Sequence, residues 1–283
     1  MDPEVVLVLL VFLTAAPTAM LAGGLRNARP LEAISPVEME RARWKEVWMP
    51  LLPAIGIACV MGGWAIAEPV PADEPVPRLA ILIASPFALV WCRALVRAVY
   101  SWLLPLAKEP LAATVGLFRP TIRLSPALTG ALDPEALAAV RAHEMAHAAH
   151  RDPLRIWLAQ LATDLQWPFP APQRRLRDWR RALEMARDQE VRRSGIDGPD
   201  LAAGILAVLR IASAVAGVAA TLIDDESSLR ERIERLLAPA PAVGANRRSV
   251  MSFALVLSGL GAALIVGMEV GDPLVAALLN ALA

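Results

Sequence analysis

Ala142-His143-Glu144-Met145-Ala146-His147 reads H-E-x-x-H, and it lies in a stretch, Asp133 to Ala149, that carries the local marks of a helix. Asp133 stands as N-cap, Pro134 at the first helical position and Glu135 in the first turn, and mostly alanine, leucine and valine follow. Four residues on a helix advance about 400°, so His143 and His147 project from one face, a turn apart, as two ligands of one zinc ion must. Glu144 lies beside them, placed as a general base rather than a ligand. All three histidines of the chain, His143, His147 and His150, fall within eight residues. The plain alternative is a helix end with surface histidines near the negative pole of its dipole. The agreement of cap, helix and glutamate favours the metal site. His150 could line the site, but a helix-end residue needs no such role.

The 283 residues allow one or two domains. At 56% hydrophobic residues and a mean hydropathy of +0.48, the chain is too apolar for an ordinary soluble protein. A net charge of +0 gives no global field toward nucleic acid. Cys59 and Cys92 both sit in apolar runs, which indicates buried thiols rather than a disulfide framework or a thiolate zinc site.

Val5 to Leu25 is an apolar run long enough to span the bilayer hydrocarbon, and Asp2 and Glu4 before it argue against a cleaved signal peptide. A polar connection with Arg26, Arg29, Arg41, Arg43 and Lys45 leads to a second expected span, Val47 to Ala67. Trp44, Trp48 and Trp64 are placed for interfacial belts. The acidic, proline-rich Glu68 to Pro77 reads as a stiff loop, and Leu79 to about Val99 as a third span. Arg93 and Arg97 near its end are either snorkelling side chains, the favoured reading, or a functional pair. The positive-inside rule puts the first connection in the cytoplasm and the acidic loop outside.

From Lys108 to Arg248 the chain turns polar. Thr121-Ile122-Arg123-Leu124-Ser125 alternates as an edge strand between Pro120 and Pro126, able either to pair with an extended substrate or simply to pack the zinc helix. His150-Arg151-Asp152-Pro153 reads as a helix stop and a fresh N-cap, before a helix from Leu154 to about Gln166. An arginine-rich helix then runs from Arg174 to about Arg193, an excess better explained by anionic headgroups than by nucleic acid. Within it, Glu184 and Asp188 share a face. Both could pair with local arginines, or Glu184 could be the third zinc ligand and Asp188 a group orienting a histidine. Asp200 to Ile223 is read as a core helix, because Arg210 at a bilayer centre would cost about 2.5 to 3.5 kcal/mol. Ser228 to Leu237 is a short amphipathic helix, and Val250 to Val270 is the fourth expected span, with Arg247 and Arg248 on its cytoplasmic side.

Gly116 to Pro126, Leu137 to Pro153 with His-Glu-Met-Ala-His and Arg-Asp-Pro, Trp167-Pro168, Glu184-Met185-Ala186-Arg187-Asp188 and Ser228 to Ile233 together resemble the BlaR/MecR-type antirepressor zinc metallopeptidases. The resemblance implies zinc on His143, His147 and Glu184, Glu144 as catalytic base and acid, and Asp188 supporting the site. Arg187 stands where that family commonly has cysteine. The outer penicillin-binding domain of the antibiotic-sensing members is not seen after the last run, so β-lactam sensing is not carried over.

The resulting expectation is a mainly α, four-span helical integral membrane protein. Residues 5–107 form three transmembrane helices, 108–248 a cytoplasmic zincin-like α+β peptidase domain, and 249–283 the fourth span with a short outer tail. It would sit in a bacterial-type inner membrane with both termini outside. The substrate would be a protein, a repressor or a membrane protein, with the lipid bilayer as a partner, no nucleic acid, and oligomers allowed. The rival readings are a heat-shock or prenyl-protein type of membrane zinc protease, and a non-catalytic membrane scaffold with a peptidase-like fold.

Overall fold

The structure is a computed structural model that describes residues 35–52, 55–56, 59–60, 63, 67, 78–103, 111–216, 226–239 and 258–269. The expected first span lies outside these residues, and the second and fourth lie partly outside them. Among the described residues, no helix is long and apolar enough to cross a membrane.

The elements follow in order as α1 (Pro36–Trp48), α2 (Arg78–Leu103), β1 (Ala112–Val115), β2 (Thr121–Leu124), α3 (Pro126–Ala131), α4 (Pro134–Ala149), α5 (Asp152–Asp164), α6 (Pro170–Arg193), α7 (Gly198–Ala216) and α8 (Glu226–Leu237). Among the described residues the fold is thus mainly helical, with one small antiparallel hairpin that pairs Ala112 with Leu124 and Val115 with Thr121. The expected strand is β2. Its partner β1 was not foreseen, since Ala112-Ala113-Thr114-Val115 is too short and too alanine-rich to announce a strand.

Helix α4 begins as the sequence foretold: the Asp133 side chain accepts from the Ala136 amide at 2.7 Å, with Pro134 in the first turn. Its small residues let other helices close in. At Gly204 of α7 an added Cβ would lie 2.3 Å from Val140 Cγ2 of α4, so any side chain there would push α7 off the histidine helix. The cluster Ala139, Val191, Leu201, Ala202 and Leu236 ties α4 to α6, α7 and α8.

A second cluster, Val47, Ala159, Ala162, Leu176, Trp179 and Leu183, joins α1, α5 and α6. Here the sequence reading needs correcting. Val47, expected to open a membrane span, is 2% exposed in this core. Trp44 and Trp48, expected in an interfacial belt, pack against the same cluster, with Trp44 4.9 Å from the Trp179 ring. The reason is that α1 ends at Trp48 and is a capped helix of its own. Ser35 and Glu38 form a reciprocal capping box at its start.

Arg93 and Arg97 of α2 also depart from the favoured reading. Both face Asp164 at the end of α5, at 3.6 and 3.3 Å. Asp164 is 1% exposed, and a buried carboxylate at the negative end of a helix demands cations. The Trp157 indole of α5 adds a bond to the Ala98 carbonyl of α2 at 3.0 Å.

Candidate metal centre

His143 and His147 are both buried and stand on one face of α4, as their spacing requires. Their Nε2 atoms approach each other to 3.0 Å. Glu184, half-buried on α6, brings Oε2 to 3.4 Å from His143 Nε2 and Oε1 to 3.6 Å from His147 Nε2. Among the described residues, these three form a group whose donor atoms all lie within 4.8 Å of one another and which could hold a metal ion.

The outer nitrogens of the two rings are held separately. His143 Nδ1 lies 3.0 Å from Asp188 Oδ1, and His147 Nδ1 lies 2.9 Å from Asp152 Oδ2. A carboxylate opposite Nδ1 favours the tautomer with the proton there. Both Nε2 lone pairs then converge on one point together with a carboxylate. Three acceptors facing one another need a cation between them, so the donor set fits a metal.

The electrostatics agree. Burial opposes protonation of His143, but hydrogen bonds to Asp188 and Glu184 outweigh it and raise its pKa to about 9. Without a metal, a proton takes the cation's place. Burial would lift the carboxyl of Glu184, yet Arg232, His143 and His147 hold it well below the usual carboxylate range. For Asp188, burial likewise loses to the hydrogen bond with His143 and the charge of Arg232.

The expected residues Glu184 and Asp188 therefore meet His143 as the Glu-x-x-x-Asp spacing allowed. Three further groups escaped the sequence reading. Arg232 of α8 donates to both oxygens of Asp188, at 2.8 and 3.0 Å, and its Nη1 lies 3.1 Å from Glu184 Oε2. Asp152, read as an N-cap, instead follows Arg151, whose φ of 52° takes the cap position. Asp152 is fully buried; besides His147 it accepts from Arg187 at 2.5 and 3.0 Å and from Arg155 at 3.0 Å. Arg187, in the position where the resembling family commonly has cysteine, is thus the counterion of the carboxylate that faces His147.

The third is Thr114 of β1. Its Oγ1 lies 2.8 Å from Glu144 Oε2 and 2.8 Å from the Glu144 carbonyl. One hydroxyl proton serves one acceptor at a time, and when it is given to the carboxylate it pins Oε2 and leaves Oε1 for other work. The signal was present but faint: a β-branched pair, Thr114-Val115, before Gly116. Replacing Thr114 with valine keeps the shape and removes the bond, and should lower kcat about tenfold with KM and metal content unchanged, while serine restores the rate. Hydrolysis of a quenched fluorescent peptide pool by the purified variants measures this. His150 stays apart from the cluster, its Nε2 2.9 Å from Glu190 Oε2.

Residues 106–236 match the family model described as BlaR1 peptidase M56. No curated protein and no solved structure matches the chain. The matched segment contains His143, Glu144, His147, Glu184 and Asp188, together with Thr114, Asp152, Arg187 and Arg232. It is through this segment that the chain is similar to the BlaR1-type M56 metallopeptidases.

Proposed function

We propose that this chain is a membrane-embedded zinc metalloendopeptidase, cutting a cytoplasmic or membrane-associated protein in regulatory proteolysis. The observation that carries the reading is the convergence of His143 Nε2, His147 Nε2 and the Glu184 carboxylate, with each ring backed by its own aspartate. Two imidazoles and one carboxylate suit zinc, and leave a position open to water and substrate.

Bound zinc would supply Lewis acidity to the scissile carbonyl and to the attacking water. Glu144 takes the proton of that water through its free oxygen while Thr114 holds the other, and passes the proton to the departing amine. Asp188 and Asp152 keep the two rings in register. The hairpin packs along α4, and among the described residues its two strands pair only with each other, which leaves an edge that suits an extended peptide.

The membrane assignment rests on the apolar runs and on two packing features. Leu89, Trp91, Leu95, Val96, Val99 and Tyr100 of α2 are all exposed large apolar side chains, as on a lipid-facing helix. Residues of the second and last runs touch backbone to backbone: an added Cβ on Gly63 would lie 2.1 Å from Leu264 O, and one on Gly267 1.9 Å from Val60 O. Such close small-residue crossings are how helices associate in lipid. In this arrangement residues 108–248 form the catalytic domain on the cytoplasmic side, between the third and fourth spans. Both termini face outside, and the substrate is a repressor or a membrane protein.

Elemental analysis of the detergent-purified chain tests the metal reading. About one zinc per chain is expected in the parent and in Glu144→Ala, and markedly less in Glu184→Ala. A parent that stays metal-free after zinc is supplied would sink the peptidase assignment.

A further inference from the structure

Helix α1 lies outside the matched segment, yet it delivers a carboxylate into the support of the metal cluster. Glu40 is 5% exposed. Its Oε1 accepts from Trp179 Nε1 at 3.0 Å and from the Arg155 guanidinium. Arg155 stacks on two rings, 4.7 Å from the Trp44 centroid and 5.6 Å from that of Trp179. Its other arm donates to Asp152 Oδ1 at 3.0 Å, and Asp152 holds His147 Nδ1. An unbroken chain of hydrogen bonds therefore runs from Glu40 through Arg155 and Asp152 to His147.

The charges along it balance. Glu40 and Asp152 face Arg155 and Arg187, while Glu190, which also touches Arg187, is turned toward solvent with His150. Buried ions persist in such compensated sets, and removing one member leaves its partner's charge exposed to the rest. Without Glu40 the set becomes net positive beside His147, which disfavours a divalent cation there. Both arginines would also draw on Asp152, loosening its hold on the imidazole. The two effects have the same sign.

We infer that Glu40 is a positioning residue of the metal site, acting through Arg155 and Asp152, so that α1 is a working part of the peptidase. This rests on the metal reading of His143, His147 and Glu184. If Glu40 served only to dock α1, its loss would lower stability and leave metal binding alone. Val47 provides that comparison, since it is buried on the same helix but belongs to the apolar cluster.

The full chain in detergent is titrated with Co2+, whose visible absorption reports ligand geometry, and then challenged with a chelator. Glu40→Gln keeps the size and an acceptor for Trp179 but removes the charge. It should bind Co2+ about tenfold more weakly than the parent, with an altered spectrum. Glu40→Asp, which keeps the charge, should fall closer to the parent. Val47→Ala should melt at lower temperature and bind Co2+ as the parent does. Parental affinity in Glu40→Gln, or an equal loss in Val47→Ala, would overturn the inference. A parent that binds no Co2+ would instead overturn the metal reading on which it rests.

Discussion

Glu144→Gln should reduce peptide hydrolysis by about 10²- to 10⁴-fold while leaving metal content unchanged. The glutamate follows the first histidine on α4, beside the two converging Nε2 atoms but not among the donors of the cluster. Its Oε2 accepts from the Thr114 hydroxyl, which leaves Oε1 to accept a proton. Glutamine preserves the size and still accepts from Thr114 through its carbonyl, but it cannot act as a base. The loss should therefore appear in kcat, with substrate binding retained. Turnover of a peptide pool by parent and variant, with zinc measured on the same samples, decides it. Activity kept in Glu144→Gln would remove the proposed base; metal lost along with activity would show that the residue acts on the cluster instead.

Asp152→Ala should be the most damaging substitution away from the three candidate ligands. Asp152 is fully buried and pairs with Arg187 and Arg155 as well as His147. Its removal leaves Arg155 to Glu40 alone and Arg187 to Glu190 alone, and leaves a ring without orientation. Breaking a buried pair in this way costs about 3–5 kcal/mol, enough to lower Tm on the order of 10 °C. Metal affinity should fall roughly 10- to 100-fold as well. Thermal unfolding of the metal-free and metal-loaded chain separates the two losses. Burial tends to raise the Asp152 carboxyl, but the hydrogen bonds of His147 and Arg187 hold it far below its ordinary 3.8. The stability it contributes is therefore complete above pH 3.8 and is lost only as the pH falls toward the depressed value. In Asp152→Ala that portion of the acid dependence should vanish. Unaltered Tm and metal affinity would show that Arg187 and His147 manage without it.

What could be read from the residues alone was what depends on near neighbours. The cap at Asp133, the four-residue spacing of His143 and His147, and the matching spacing of Glu184 and Asp188 follow from helix geometry, which repeats over a few residues. So did β2 between its prolines. The three candidate ligands were legible because two lie on one helix turn, and because a resemblance supplied the third. Tertiary structure decided everything that joins distant positions. Thr114 meets Glu144 across 30 residues, Arg187 meets Asp152 across 35, and Trp179 meets Glu40 across 139. No periodicity encodes such meetings, since which buried charge finds which partner depends on how the helices pack. The same holds for α1. Its tryptophans and Val47 looked like the threshold of a membrane span, because an apolar side chain facing lipid and one facing a protein core obey the same preference. Only the packing of α1 on α6, around Trp179, shows which of the two solvents those side chains chose.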